Sequence, residues 1–299
     1  MVDLAKPAAV ATPTQEPSTD SPLRQTINRF RRHRPAMLGL VVIAFLVIAA
    51  IVASEQKALE QNLQARGQPP SAAHWFGTDA IGRDIFARTF VGGRISLLVG
   101  LVSVLFSTII GATLGIIAGF YRRADFAVMR GVDVVMSFPT IILLLIAASL
   151  FGPGIFNMMV MIGLLTWTVP CRILRGQFLQ LRDAEFVVAA RVVGLRDRSI
   201  VLRHILPNAL APLLVYMSLG VASVVLLEAG LSYLGLGVQP PTPSWGNMLN
   251  AARSLTILSR QPWQWVPPAV LVVLFVLAVN FVGDGLRDAL DSRSTRHNV

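Results

Sequence analysis

Residues 185–208, EFVVAARVVGLRDRSIVLRHILPN, carry Arg191, Arg196, Arg198 and Arg203 in a chain that is 54% hydrophobic and only 14% charged. The stretch has alanines where a membrane helix would have leucines, a glycine at 194 and a proline at 207. A helix over roughly 183–193 sets Phe186, Ala189, Ala190 and Val193 at i, i+3, i+4 and i+7, a narrow apolar stripe with small residues at its centre. Gly194 suits the left-handed position that closes a helix, and Asp197 suits the cap of a second short helix that Pro207 is expected to stop. The pattern predicts a rigid, basic knob whose alanines let a partner surface come close. A solvated connector is the other reading of the same residues.

Membrane spans surround it. The mean hydropathy is +0.63, and apolar runs of span length occur at 36–53, 97–120, 134–151, 155–171, 209–228 and 266–283. These predict an all-α integral membrane protein with six transmembrane helices. The net charge of +10 follows the membrane rather than a nucleic acid: 19 of the 26 lysines and arginines fall in segments on the side of the N-terminus. The positive-inside rule places that side, both termini and the knob in the cytoplasm of a plasma (inner) membrane. The first span is read as a permanent anchor, because no A-x-A site follows it. Residues 1–22, rich in Pro, Ala, Thr and Ser, are read as a disordered tail, 23–53 as a basic juxtamembrane segment with the first span, 54–93 as an extracytoplasmic loop and 285–299 as a cytoplasmic tail.

Catalytic chemistry finds no footing. The single cysteine, Cys171, excludes an internal disulfide and a cysteine-based metal cluster. His33, His74, His204 and His297 show no i, i+4 pairing, and no G-x-S-x-G elbow is present. Neither Lys6 nor Lys57 sits in a P-loop. The spans are almost uncharged apart from Glu228, placed near the outer face, so a coupling-ion mechanism is not indicated either. Any motor belongs to another chain.

The sequence VAARVVG, followed nine residues on by HILP, resembles the EAA loop of bacterial ABC importer permeases. Ala189, Ala190, Gly194, Leu206 and Pro207 match that motif, while Val188 and His204 depart from it as in the dipeptide/oligopeptide/nickel branch. Residues 74–100 (HWFGTDAIGRDIFARTFVGGRISLLVG), 228–249 (EAGLSYLGLGVQPPTPSWGNML) and 280–291 (NFVGDGLRDALD) also look like segments of the second permease subunit of peptide importers. The resemblance implies a type I ABC importer permease core over 94–284, with the coupling loop at 183–208. It implies contact with an ATPase subunit through Glu185, Ala189, Ala190, Arg191, Gly194, Leu195, Arg196, Asp197, Leu206 and Pro207. On the outer side it implies binding-protein or gate contacts at Asp79, Arg83, Asp84, Glu228, Gln239 and Trp245, although paired charges on an outer loop are also commonly structural. The implied partners are a homologous permease subunit, one or two ATP-binding subunits, a substrate-binding protein and membrane lipid, with no nucleic acid. No resident cofactor or metal is expected, ATP and magnesium residing on the partner.

Dipeptides or oligopeptides are the expected cargo. Nickel, glutathione or antimicrobial peptides remain alternatives, and a non-transporting scaffold or sensor is the reading from another class. Ser103, Ser107, Gly111, Gly115 and Gly119 form a small-residue stripe along the second span, open at this point to packing within the chain or between subunits. Trp245, Trp263 and Trp265 suit a membrane interface.

Overall fold

The computed structural model describes residues 22–290, so the tail segments 1–21 and 291–299 lie outside the described residues. In chain order the helices are α1 (Pro22–Arg32), α2 (Arg34–Val52), α3 (Glu55–Leu59), α4 (Ile85–Phe120), α5 (Arg122–Met136), α6 (Thr140–Phe151), α7 (Ile155–Thr166) and α8 (Thr168–Leu181). After these come α9 (Glu185–Val192), α10 (Asp197–Ser199), α11 (Leu206–Tyr233), α12 (Trp245–Leu249), α13 (Leu255–Arg260) and α14 (Val266–Leu290).

The long helix α4 is the centre. Asp84 starts it by accepting a hydrogen bond from the Ala87 amide at 2.9 Å. Its 36 residues make it about 54 Å long, well beyond the ~30 Å of a hydrocarbon core. The helix therefore begins twelve residues ahead of the expected 97, and part of the expected outer loop is helix. That first end of α4 is buried by the protein itself, as Ile85, Arg88, Thr89 and Phe90 show.

Along α4 the small-residue stripe packs within the chain. A Cβ on Gly111 would lie 2.4 Å from the Trp167 carbonyl oxygen, one on Gly115 2.5 Å from that of Cys171, and one on Gly119 2.5 Å from the Phe178 Cβ. Ser103 Oγ donates to the Met159 carbonyl at 3.2 Å. Residue numbers rise together on both sides of this seam, so α4 and the α7–α8 rod run parallel. The chain must cross back between them, and α5 with α6 is what crosses.

That crossing is broken. The expected continuous span at 134–151 is two helices bent by 83° at Ser137, Phe138 and Pro139. Proline lacks the amide a helix needs and pushes the preceding residue away from helical angles. The α7–α8 rod, expected to end at 171, continues to Leu181. Its extra turns carry Arg172 and Arg175, which pair with Asp133 at 2.9 Å and Asp125 at 2.5 Å on α5. The fifth span also exceeds its expected limits, running without interruption from Asp197 to Tyr233.

α11 runs antiparallel to α4, with Gly100 against Val221 and Val225, and Gly220 against Val104. α14 packs on α11 and on α2: a Cβ on Gly39 would lie 2.5 Å from the Ala278 carbonyl oxygen. Arg94 donates to the carbonyls of Ala50, Ile51 and Ala53, closing the end of α2. α14 remains helical to Leu290, past the tail boundary expected at 285. Gly285 meets Ala36, His33 and Phe30, which brings both ends of the described chain to one side of the bundle. Outward-facing Leu38, Val41, Phe45, Ile48 and Ile51 of α2 are exposed, as a lipid-facing surface requires.

Gly115→Val should lower the melting temperature of the detergent-purified chain, because overpacking a tight seam costs about 1–3 kcal/mol. Gly131→Ala on α5, where an added Cβ meets nothing within 4 Å, should not. Equal melting for Gly115→Val and the unaltered chain would show that the seam is not closely packed.

Candidate functional site

The knob is α9 followed by the start of the fifth span. α9 closes on Gly194 at φ +82°: the Gly194 amide donates to the Arg191 carbonyl at 2.9 Å and the Leu195 amide to the Ala190 carbonyl at 3.1 Å. This pair of bonds needs a left-handed residue, which glycine supplies without strain. Asp197 does not cap the next helix. Arg196 holds the cap position and makes no side-chain cap bond, with Asp197 as the first helical residue. Nor does Pro207 stop the helix, because residues 200–205 wind as a π-helix. The Leu206 amide bonds back to Val201, and Pro207 follows directly in the first turn of α11. The knob is thus continuous with a membrane span.

Burial corrects one residue of the expected face, Ala190. Val187 is fully buried and Ala190 is 7% exposed. Both belong to a buried apolar cluster with Leu174 and Phe178 of α8 and with Ile200, Ile205 and Ala209. Ala190 therefore faces its own chain rather than a partner. The outer surface is formed by Phe186, Val188, Ala189, Val192 and Val193, with Val192 83% exposed and Val193 79%. Glu185, Arg191, Leu195, Arg196 and Asp197 are also exposed, as is Pro207, while Leu206 is half-buried. Helical spacing grouped Ala190 with Phe186, Ala189 and Val193, which are exposed, because α9 is apolar on both sides; of that stripe Ala190 alone turns inward. The strongly exposed Val192 carried no motif signal.

At the opposite end of the bundle, 62–84 and 237–265 fold together. Thr78 bridges to Asp84, and the Trp263 indole donates to the Thr78 carbonyl at 3.3 Å. α3 and the short turn at 63–65 give order to the loop after the first span. The charges expected at partner contacts are used internally. Asp79 accepts from the Ile81 and Arg83 amides at 3.0 and 2.9 Å and from Arg83 Nε at 2.6 Å. Arg88 lies 3.7 Å from the same carboxylate. Asp84 pairs with His74 at 2.8 Å while capping α4.

Glu228 is fully buried and receives three hydroxyl hydrogen bonds: Ser96 at 2.8 Å, Ser232 at 2.7 Å and Ser244 at 2.8 Å. The Trp245 amide donates to Ser96 Oγ, and its indole donates to the Thr89 carbonyl at 2.9 Å. Glu228 and Trp245 form a latch tying α4, α11 and α12, so neither is an exposed contact. Trp245, 1% exposed, is a core residue and not an interfacial anchor. Of the six outer residues, only Gln239 has an exposed side chain. The serines at 96, 232 and 244 drew no notice in sequence because their spacing means nothing until three segments meet.

Between these ends lies a cavity of about 370 Å³, bounded by the α5–α6 break, the α7–α8 junction and α11. Hydroxyls of Thr140, Thr166, Thr168, Tyr216 and Ser223 line it among apolar groups, and no charged side chain does. Among the described residues no group of three or more His, Cys, Asp or Glu is placed to hold a metal.

Residues 111–296 match the family described as the binding-protein-dependent transport system inner membrane component. This chain belongs to that family. Residues 21–70 also match the N-terminal transmembrane domain of oligopeptide transport permease C. A Brucella suis protein named as a peptide permease is 49% identical, with 93% of each chain covered. The dipeptide transport system permease DppC of Alkalihalophilus pseudofirmus is 39% identical over 97% of each. The oligopeptide permease OppC of Bacillus subtilis is 39% identical over 89% of this chain and 88% of its own. The inward-facing methionine ABC transporter MetNI shares the fold, with a TM-score of 0.55 at 20% identity, over 66% of this chain and 93% of the other. The chain is thus a multi-pass permease subunit of an ABC importer with a type I fold, and ATP hydrolysis belongs to a separate subunit.

Glu228→Ala would leave three buried hydroxyls without their acceptor, at roughly 1 kcal/mol or more each. The variant should melt earlier than the unaltered chain and expose 237–249 to limited proteolysis. An unchanged cleavage pattern would remove the latch assignment.

Proposed function

We propose that this chain is half of a peptide-translocating channel, paired with a homologous permease and driven through the exposed face of its knob. The observation that carries this reading is the cluster of Phe186, Val188, Ala189, Val192 and Val193, apolar yet exposed on an element locked to the ends of α8 and α11. A contiguous apolar patch outside the membrane calls for a protein partner. The knob docks in an ATPase subunit that binds ATP and magnesium, and this chain holds no cofactor. Because α11 continues from the knob, a push on the knob becomes a movement of a span.

The excess of arginine around 122–130 and 172–203 supports placing the knob and both ends of the chain in the cytoplasm. The opposite end, with exposed Gln239, then receives the substrate-binding protein. The names of the dipeptide and oligopeptide relatives support peptides as cargo. A hydroxyl-lined cavity without charge suits passage of a zwitterionic peptide that the wall holds only weakly, leaving selection to the binding protein.

Two substitutions separate docking from folding. Val192→Glu places a charge on the exposed face and should keep the melting temperature while abolishing ATPase pull-down and peptide uptake, since an unpaired charge at a desolvated contact costs several kcal/mol. Ala190→Glu buries the charge within the chain and should lower the melting temperature first. Normal uptake by Val192→Glu would return the knob to a solvated connector.

Orientation has its own test. A reporter active only in the cytoplasm should work when fused after Arg123 and fail after Gln64, and activity at Gln64 would reverse the orientation.

A further inference from the structure

At the knob end of α4 the chain forms an open cleft of about 490 Å³ lined by Phe120, Tyr121, Arg122, Arg123, Arg191 and Asp197. Three guanidinium groups face it against one carboxylate. Neighbouring arginines already have acceptors: Arg172 has Asp133, Arg175 has Asp125, and Arg182 has Asp183 and the Gly119 carbonyl. Arg122, Arg123 and Arg191 have no ion-pair partner among the described residues, and Arg191 lies over the Phe120 ring at 5.7 Å. The amino end of α5 opens beside them, its cap residue Tyr121 offering no side-chain hydrogen bond.

The position of the cleft identifies the class of anion. Phe120 is the last residue of a membrane-crossing helix, and Tyr121 after it is 47% exposed, an aromatic at the level where headgroups begin. None of Phe186, Val188, Ala189, Val192 and Val193, the exposed apolar face of the knob, lines the cleft. The arginines therefore converge between span and knob, beside the exposed apolar face rather than on it. Basic pockets between membrane helices at this depth suit phosphate-bearing lipid headgroups, and arginine binds phosphate in a bidentate manner. We propose that this cleft binds the headgroup of an anionic phospholipid, tying the end of α4 to the knob. The site requires only that α4 crosses a membrane; its effect on coupling rests on the importer reading.

The test measures lipid retention on the full-length chain, without ATPase or transport, so its failure is distinct from failure of the importer reading. In native mass spectrometry the chain should retain phosphatidylglycerol in preference to phosphatidylcholine. Arg122→Gln and Arg123→Gln should each weaken phosphatidylglycerol binding about fivefold. The Arg122→Lys, Arg123→Lys pair should retain most of it, and Asp197→Asn should strengthen it, which a folding defect would not do. Equal retention of the two lipids, or unchanged retention by the glutamine variants, would overturn the proposal. Displacement by inorganic phosphate in excess would reassign the cleft to a soluble phosphate. Glutamine variants that keep the lipid but lose ATPase pull-down would reassign it to a protein contact.

Discussion

The close approach of α4 to the α7–α8 rod is the constraint from which the bundle follows. Three glycines, each one turn from the next, let α4 touch the Trp167 and Cys171 carbonyls and the Phe178 Cβ, distances no larger residue tolerates. In a membrane, where burial of apolar surface adds little between helices, such dense contact is a main source of association. The seam is parallel, so it also dictates the path: the chain must return between its two sides. The return consists of an amphipathic α5, a break at Pro139 and a short apolar α6.

The same rod links the seam to function. Phe178 closes the seam against Gly119 and also belongs to the cluster that holds Val187 and Ala190 of the knob. A force on the knob is therefore received by the ends of α8 and α11 together. The knob joins α11 through a π-helical turn without interruption.

The opposite end is organised by polar groups instead. The buried Glu228 carboxyl accepts from three hydroxyls, and through Ser96 and Ser244 it fixes the position of α12. Asp79 and Asp84 do the same for the turn ahead of α4. Groups that look like recognition charges in a linear reading are therefore the framework of the cap at the end opposite the knob.

Much was legible in the sequence. Apolar runs and the VAARVVG…HILP spacing determined a multi-pass helical protein and the place of the knob in the chain, because hydropathy and turn-forming residues act locally; the third apolar run was not one straight helix but two, bent by 83°. Gly194 was readable as a helix stop for the same reason: a positive φ is a property of one residue. What only the tertiary structure decided depends on partners far away in the chain. The stripe on α4 became an intrachain seam because α8 meets it, and Ala190 turned inward to join the buried cluster that includes Phe178, Ile200 and Ile205. Pro207 became tolerable because a π-helical turn precedes it. Glu228 became a buried latch because serines at 96, 232 and 244 converge on it, and no local pattern encodes that convergence.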